Sequence, residues 1–318
     1  MPYTCAYTIW KPHLKNERGQ CASYNKRLGN FTYQYEEDIL KENGLHAVSF
    51  NFFVLWNEEK SDGTLNPEIW MKREITIRGN ESISVGSKTF DHHFWTSENP
   101  KEVQRNLAFF QRHQLHSSYM LIKDLHGEFE LSNQSYVAIQ IQVDAQNQLK
   151  KDIITLDRME KLLIAHSNGK FRIKKPLSWY ETDLEHVLAI RSGETGALFP
   201  GDCDMLLYDD DFRCRYILEF KKCTERGNVP VKDQSFLTYI KNDRSKYLRL
   251  HILRRHLEEV EGRKIPLITV FYPTTAEDVI KLESIDAHLK PDKQFIYQME
   301  ATPRKNQQKL LRMIRENF

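Results

Sequence analysis

The chain of 318 residues lacks any long apolar run. No stretch approaches the roughly 20 apolar residues that a membrane-spanning helix needs. The N-terminal segment MPYTCAYTIWKPHLK also lacks the positively charged region followed by an apolar region that marks a secretion signal. We therefore expect a cytoplasmic protein without a membrane partner.

The chain also contains few cysteines, and neither sign of charge is in large excess. Five cysteines, an odd number, do not make a disulfide framework, and none of them belongs to a CxxC pair of the kind used by structural zinc sites. The net charge is only +2, so a site for a polyanion has to be a local concentration of Lys and Arg.

No repeat is visible in the sequence, and the length suggests two domains. The segment Ser167-Asn168-Gly169, which precedes a basic stretch, is the best candidate boundary. We predict a β-rich N-terminal domain at 1–168, which would select a substrate or bind a partner, and a second domain at 169–318. The fold class expected for the second domain is α/β, with a central mixed sheet flanked by helices, which makes the whole chain α+β.

Hydrophobic periodicity places the individual elements. In the first half, the predicted strands are 49–56, 70–79, 119–125 and 135–144, and the predicted helices are 99–114 and about 155–166. In the second half, the predicted helices are 178–193, about 233–260 and about 303–317, and the predicted strands are 204–208, 214–220, 265–272 and 294–299. Asn99 followed by Pro100 is a typical helix start.

Charged side chains stand at one end of two apolar strands. Asp204 opens one strand, and a polar turn follows at 209–211. The next strand, CRYILEF, contains Glu219 near its end, and Lys221 comes directly after it. If the two strands pair through this turn, both carboxylates reach the same end of the sheet. Because side chains alternate along a strand, Lys221 shares the face of Glu219, whereas Lys222 points the other way.

Two adjacent carboxylates repel each other, and a hard divalent cation such as Mg²⁺ or Mn²⁺ removes that repulsion. A bound ion of this kind can polarise a phosphoryl oxygen and lower the pKa of a water molecule. A neighbouring lysine can orient the water or stabilise the charge on the phosphate. The combination of Asp204, Glu219 and Lys221 therefore predicts hydrolysis of a phosphodiester bond.

The order of helix carboxylate, Pro-Gly-x-x-Asp, apolar strand, turn and Glu-x-Lys resembles the PD-(D/E)XK nuclease superfamily over about 178–272. The resemblance implies a restriction-endonuclease-like core. It assigns metal binding to Asp204, Glu219 and the backbone carbonyl of Phe220, and catalysis to Lys221. It also implies a carboxylate from the preceding helix, for which Glu185 is the first choice, and Glu181 and Glu194 are the alternatives.

Two departures from the family pattern stand in this sequence. Pro200 is separated from Asp204 by Gly-Asp-Cys, so Asp202 competes for the metal-binding role. Some relatives also carry a Gln-x-x-x-Tyr motif on the following helix. In this chain Gln234 and Tyr239 are one residue too far apart for that motif, so the subfamily is not assigned.

The helix predicted at about 233–260 offers a basic surface. The residues predicted to contact nucleic acid are Lys222, Gln234, Lys241, Arg244, Lys246 and Arg249, with Arg254 and Arg255 further along the same helix. A buried stripe is predicted at Leu237, Ile240, Tyr247, Leu250, Leu253 and Leu257. Phosphates bind such basic surfaces in a salt-dependent way.

These features together predict a metal-dependent endonuclease that cleaves DNA, with a role in restriction, transposition or phage defence. The expected cofactor is Mg²⁺, with Mn²⁺ as a second possibility, and the expected partners are DNA and either a second copy of the chain or a larger nucleic-acid-processing complex. Two alternatives stay open. One is a nuclease fold that binds nucleic acid or protein without catalysis, and the other is an enzyme that cleaves RNA.

Overall fold

A computed structural model describes residues 39–55, 65–75, 88–123, 131–167, 201–223, 229–273, 279–300 and 302–318, together with Leu184 and Leu188. The chain forms two compact units, which are named here by their place in the sequence. The C-terminal unit combines 39–49 with Cys203–Phe318, and the middle unit spans Phe50–Asp202. The predicted boundary at 168 differs from this division, because Leu45 packs with Met205 and Leu207 in the core of the C-terminal unit.

The middle unit contains most of one long strand and four further strands. The strands are β1 (Leu45–Leu55), β2 (Leu65–Ile75), β3 (His116–Lys123), β4 (Tyr136–Val143) and β5 (Leu149–Thr155). The helices are α1 (Lys88–Ser97), α2 (Pro100–Arg112) and α3 (Leu156–Ser167). The first residues of β1, up to Ser49, belong to the C-terminal unit.

The C-terminal unit supplies five more strands and the long helix. The strands are β6 (Gly201–Asp209), β7 (Cys214–Cys223), β8 (Leu267–Pro273), β9 (Val279–Ile285) and β10 (Pro291–Gln298). A single 3₁₀ turn (Val231–Asp233) precedes helix α4 (Phe236–Glu261), and helix α5 (Pro303–Asn317) follows β10. Both units mix strands and helices, which confirms the coarse α+β class.

The two units repeat one topology that the sequence does not reveal. In each, an antiparallel strand pair is followed by a helical connection and a strand parallel to the second strand of the pair, and two antiparallel strands complete the series. The parallel pairs are β2–β3 and β7–β8. A helix closes each series, α3 in the middle unit and α5 in the C-terminal unit.

Several predicted elements agree with the structure, and others were missed. The side chain of Asn99 caps α2 by accepting the Lys101 N–H at 2.9 Å, and α5 spans 303–317 as predicted. Among the described elements that were missed are α1, β5 and β9. Helix α1 is rich in Thr, Asp, His and aromatic residues, which have low helix propensity. Strand β9 was missed because the charged residues Lys281 and Glu283, both buried in the fold, interrupt its apolar residues.

The core of the C-terminal unit lies between its strands and α5. Leu218 and Phe220 of β7 pack there with Leu311 and Ile314 of α5. Because side chains alternate, this packing directs Glu219 and Lys221 to the opposite face of β7. In the middle unit, Leu184 and Leu188, from the helix predicted at 178–193, are helical and buried in a core cluster. Glu181, Glu185 and Glu194 lie outside the described residues.

Helix α4 is held at both ends and along one side. Ser235 caps its start by accepting the Leu237 N–H, and Gly262 ends it in the left-handed region with φ of +65°. The predicted stripe is correct at Tyr247, Leu250, Leu253 and Leu257, all fully buried. It is wrong at Leu237, which is 49% exposed, because the buried residue of the first turn is Phe236.

The basic surface predicted along α4 is also wrong at Arg254. Its side chain is buried and donates hydrogen bonds to the backbone carbonyls of Ile285 and Asp286 in the turn after β9. The carbonyl of Asp286 also accepts the backbone N–H of Leu289, so Arg254 adds a second donor to this turn. Arg254 therefore fastens α4 to the sheet, whereas Arg255 is exposed.

The same contact makes His251 a pH-sensitive element. Arg254 donates to Nδ1 of His251 at 2.6 Å, which requires a neutral imidazole. Burial and the nearby guanidinium groups of Arg254 and Arg255 lower the pKa of His251 from 6.5 to about 4. The unfolded chain therefore binds the proton first as the pH falls, so this histidine contributes stability above pH 6.5 that is lost on acidification.

We expect the free energy of unfolding to fall between pH 6.5 and about 4, with a smaller fall in His251→Asn. Urea unfolding at a series of pH values measures this difference. His116→Asn, an exposed histidine on β3, is the matched control and is expected to follow the wild type. Identical pH slopes for the wild type and His251→Asn would contradict the assignment.

Two further observations concern the whole of the described chain. None of its helices is at once long and apolar enough to cross a membrane. Cys203, Cys214 and Cys223 are buried free thiols.

Candidate active site

Backbone pairing brings the two predicted carboxylates together. Met205 of β6 pairs with Leu218 of β7, and one further step of the same antiparallel register sets Asp204 opposite Glu219. The backbone N–H of Phe220 donates to Oδ2 of Asp204 at 2.7 Å, so a side chain extends the ladder where the strand pairing ends. Asp204 and Glu219, called the carboxylate pair below, are 7% and 1% exposed.

Lys221 lies where strand alternation predicts it. Its Nζ is 3.1 Å from Oε1 of Glu219. The ammonium group also lies over two aromatic rings of α4, 5.3 Å from the centre of Tyr239 and 5.4 Å from that of Tyr247. Cation–π attraction to both rings holds this side chain in place and adds to its ion pair.

A second lysine enters the site from α4. The Nζ of Lys246 is 2.6 Å from Oε1 of Glu219 and 4.0 Å from Oδ1 of Asp204. The sequence placed Lys246 on the basic surface of the helix. The signal that could have found it is its spacing from Tyr239, because residues seven apart lie almost on the same side of an α-helix.

Opposite charges face each other at the site. Among the described side chains, the carboxylate pair faces the ammonium groups of Lys221 and Lys246, and the formal charges of these four groups sum to zero. Buried ions require such compensation, since an unpaired charge in a protein interior is strongly destabilising. The ion pairs therefore explain how two carboxylates remain in the folded interior.

The carboxylate pair also suits a hard divalent cation, which prefers oxygen ligands. One cationic group, the Lys246 ammonium, lies within 4.0 Å of an oxygen atom of each carboxylate. Among the described side chains, no group of three or more His, Cys, Asp or Glu residues could hold a metal ion. The other predicted ligands, namely the side chains of Glu185, Glu181, Glu194 and Asp202, lie outside the described residues.

Gln234 and Tyr239 meet although their spacing differs from the family motif. Gln234 precedes α4 in an extended conformation, and its Oε1 accepts the Tyr239 hydroxyl at 3.2 Å. Its Nε2 donates to the carbonyl of Val229 at 2.9 Å, and the residue is only 9% exposed. Gln234 therefore positions the ring of Tyr239 beneath Lys221. Both ends of its side-chain amide make hydrogen bonds within the protein rather than facing a ligand.

A buried ion pair on β9 fixes the first turn of α4, and the sequence did not indicate it. Glu283 accepts the backbone N–H of Phe236 at 2.6 Å and lies near the Ser235 hydroxyl. Lys281 donates to the carbonyl of Gln234 at 2.6 Å, and its Nζ is 3.8 Å from Glu283. These contacts set the start of the helix that carries Tyr239, Lys246 and Tyr247 to the carboxylate pair.

The remaining residues predicted to contact nucleic acid are spread along α4. Lys241 and Arg244 are exposed, and Arg249 is partly buried. The side chain of Lys222 lies outside the described set. Lys241 and Arg244 therefore stay available to a ligand on the surface of the protein.

Comparisons with known proteins identify no family. No profile of a protein family matches the sequence, and no curated protein matches it. A solved structure titled "Crystal structure of Sex pheromone staph-cAM373 precursor" aligns over 88% of this chain and 92% of its own, with 8% identity and a TM-score of 0.17. A TM-score this low supports no inference about this chain.

Proposed function

We propose that the protein is a metal-dependent nuclease of the PD-(D/E)XK type that hydrolyses phosphodiester bonds in DNA. The observation that carries the proposal is the convergence of Asp204, Glu219 and Lys221 where the antiparallel pairing of β6 with β7 ends. The order of elements adds support, since α4 connects β7 to the parallel strand β8, which makes the strand pairing of this unit mixed, as expected for the core.

In this proposal, Asp204, Glu219 and the backbone carbonyl of Phe220 would hold Mg²⁺, or alternatively Mn²⁺, with a helix carboxylate such as Glu185 as a further ligand. The ion would supply Lewis-acid stabilisation of the negative charge that develops on the phosphate. The donor set fits this role because oxygen atoms are the ligands that such ions prefer, and both carboxylates lie near the ammonium group of Lys246.

Lys221 acts directly on the reacting groups. Its ammonium is held by Glu219 and by the rings of Tyr239 and Tyr247, so it loses little freedom when the substrate binds. From that position it donates a hydrogen bond to the attacking water or to a non-bridging phosphate oxygen. A fixed cation at the point where negative charge develops is an effective catalytic element.

Lys241 and Arg244, with Arg249 and Lys222, would contact the phosphate backbone on either side of the cleaved bond. Such contacts weaken as salt rises, because bound counterions are released when the protein binds. The β-rich middle unit would select the DNA or bind a partner, which could be a second copy of the chain or a nucleic-acid-processing complex. The three buried free thiols fit the reducing conditions of the cytoplasm.

A second candidate function has its own support. The ammonium groups of Lys221 and Lys246 together already compensate the carboxylate pair, so these four described side chains do not need a divalent ion for charge balance. A protein of this kind could bind nucleic acid or a protein partner without cleaving it.

Metal-dependent cleavage tests the proposal. Purified protein is incubated with single-stranded, duplex and branched DNA and with RNA, each with Mg²⁺, with Mn²⁺ and with a chelator. Cleavage of DNA that the chelator stops is the expected result. Cleavage of RNA alone would support the ribonuclease alternative. No cleavage of any substrate would contradict the nuclease proposal and support the non-catalytic binding module.

A further inference from the structure

We infer that Lys246 is a built-in counter-ion which occupies the cation position between Asp204 and Glu219 and is displaced when a divalent metal ion binds. The inference rests on the proposed function, because it concerns the same carboxylate pair. It adds a regulatory step, since access of the metal to the site then depends on the departure of one lysine side chain.

The geometry gives Lys246 a position different from that of Lys221. Lys246 approaches both members of the carboxylate pair, at 2.6 Å from Glu219 and 4.0 Å from Asp204. Lys221 approaches Glu219 at 3.1 Å and lies over the two tyrosine rings. A metal ion bridging the two carboxylates would therefore compete for space with Lys246.

The charge balance leads to the same conclusion. With both lysines in place, a divalent ion would raise the formal charge summed over the carboxylate pair, Lys221 and Lys246 from zero to two positive units. With Lys246 displaced, the excess over these four groups falls to one positive unit. Displacement of Lys246 thus lowers the excess positive charge and removes a repulsion between the ammonium and the metal.

The surroundings of the two lysines show which one can leave. The side chain of Lys246 is 21% exposed, compared with 13% for Lys221. Lys246 is carried on a flexible four-carbon stem from α4, which also presents the exposed residues Lys241 and Arg244. Once displaced, its ammonium can move towards solvent and join these residues in contacting a phosphate.

Binding of Mn²⁺ to the full-length protein, followed by electron paramagnetic resonance of the free ion, measures the competition without any cleavage. Lys246→Met removes the competing charge and keeps a similar length, so it is expected to bind Mn²⁺ roughly tenfold more tightly than the wild type, or tighter still. Lys246→Arg retains the charge and is expected to stay close to the wild type. Lys241→Met, on the exposed surface of α4, is the matched control.

Affinity for Mn²⁺ that is unchanged or weaker in Lys246→Met would overturn the inference, as would an equal gain in Lys241→Met. Circular dichroism verifies that each variant is folded, and Lys246→Gln replaces Lys246→Met if the latter does not fold. Adding Asp204→Asn to the Lys246→Met background is expected to abolish the gain, which locates the ion at the carboxylate pair. A protein that binds Mn²⁺ in this pattern but cleaves nothing would retain the inference and refute the nuclease proposal.

Discussion

Lys221→Met and Asp204→Asn are each expected to lower the rate of metal-dependent DNA cleavage by about 10²- to 10⁴-fold. Lys221→Met keeps the length of the side chain and its contact with the tyrosine rings but removes the ammonium that faces Glu219. Asp204→Asn keeps the shape of the residue and removes one of the two charges that would bind the metal. Initial rates of plasmid cleavage at saturating Mg²⁺ provide the measurement.

The two variants should differ in how they respond to metal. Asp204→Asn weakens the proposed ion site, so its cleavage rate is expected to recover in part at high Mn²⁺, whereas that of Lys221→Met is not. Lys241→Met removes an exposed lysine from the same unit and is expected to change cleavage mainly through salt-dependent binding. Wild-type rates in both site variants would place the chemistry elsewhere in the molecule.

Glu283→Ala is expected to destabilise the protein by about 3 to 5 kcal/mol, which is the usual effect of removing one partner from a buried ion pair. Glu283 and Lys281 are both less than 5% exposed, so the variant leaves an ammonium group buried without its carboxylate. It also removes the acceptor of the Phe236 N–H at the first turn of α4. Urea unfolding monitored by circular dichroism measures the change.

A double replacement separates the charge from the packing. Lys281→Met combined with Glu283→Leu removes both buried charges and is expected to be more stable than Glu283→Ala alone. Glu259→Ala, an exposed carboxylate on α4, serves as the control and should change stability by less than about 0.5 kcal/mol. If Glu283→Ala behaves like this control, the ion pair does not anchor the helix.

The carboxylate pair and Lys221 could be predicted because they follow from rules that act within one strand or between neighbouring strands. Alternation placed Glu219 and Lys221 on one face, and the turn at 209–211 set the antiparallel pairing that brings Asp204 beside them. The start of α2 at Asn99 was predictable for a similar reason, because a cap depends on a few adjacent residues.

Lys246, Arg254 and Glu283 could not be placed from the sequence, since their positions depend on how α4 packs against β7 and β9. A charged residue in an amphipathic helix or in a strand is predicted to be exposed unless its partner is known, and the partners on other elements lie 27 to 48 positions away in the chain. Glu219 pairs with Lys246, and Arg254 meets the carbonyls of Ile285 and Asp286. Tertiary packing alone brings these groups together.

The topology shared by the two units has a consequence for how the proposed nuclease would cut a DNA duplex. In the C-terminal unit, Glu219 of β7 pairs with Thr269, which is the third residue of β8. The equivalent residue of the middle unit is Trp70 of β2, because it pairs with Ser118, which is the third residue of β3. Trp70 is buried in an apolar cluster, so the middle unit has an aromatic side chain where the C-terminal unit has a carboxylate. One copy of the chain thus carries one proposed hydrolytic centre on these matched strands, and severing both strands of a duplex takes either two copies or two successive nicks.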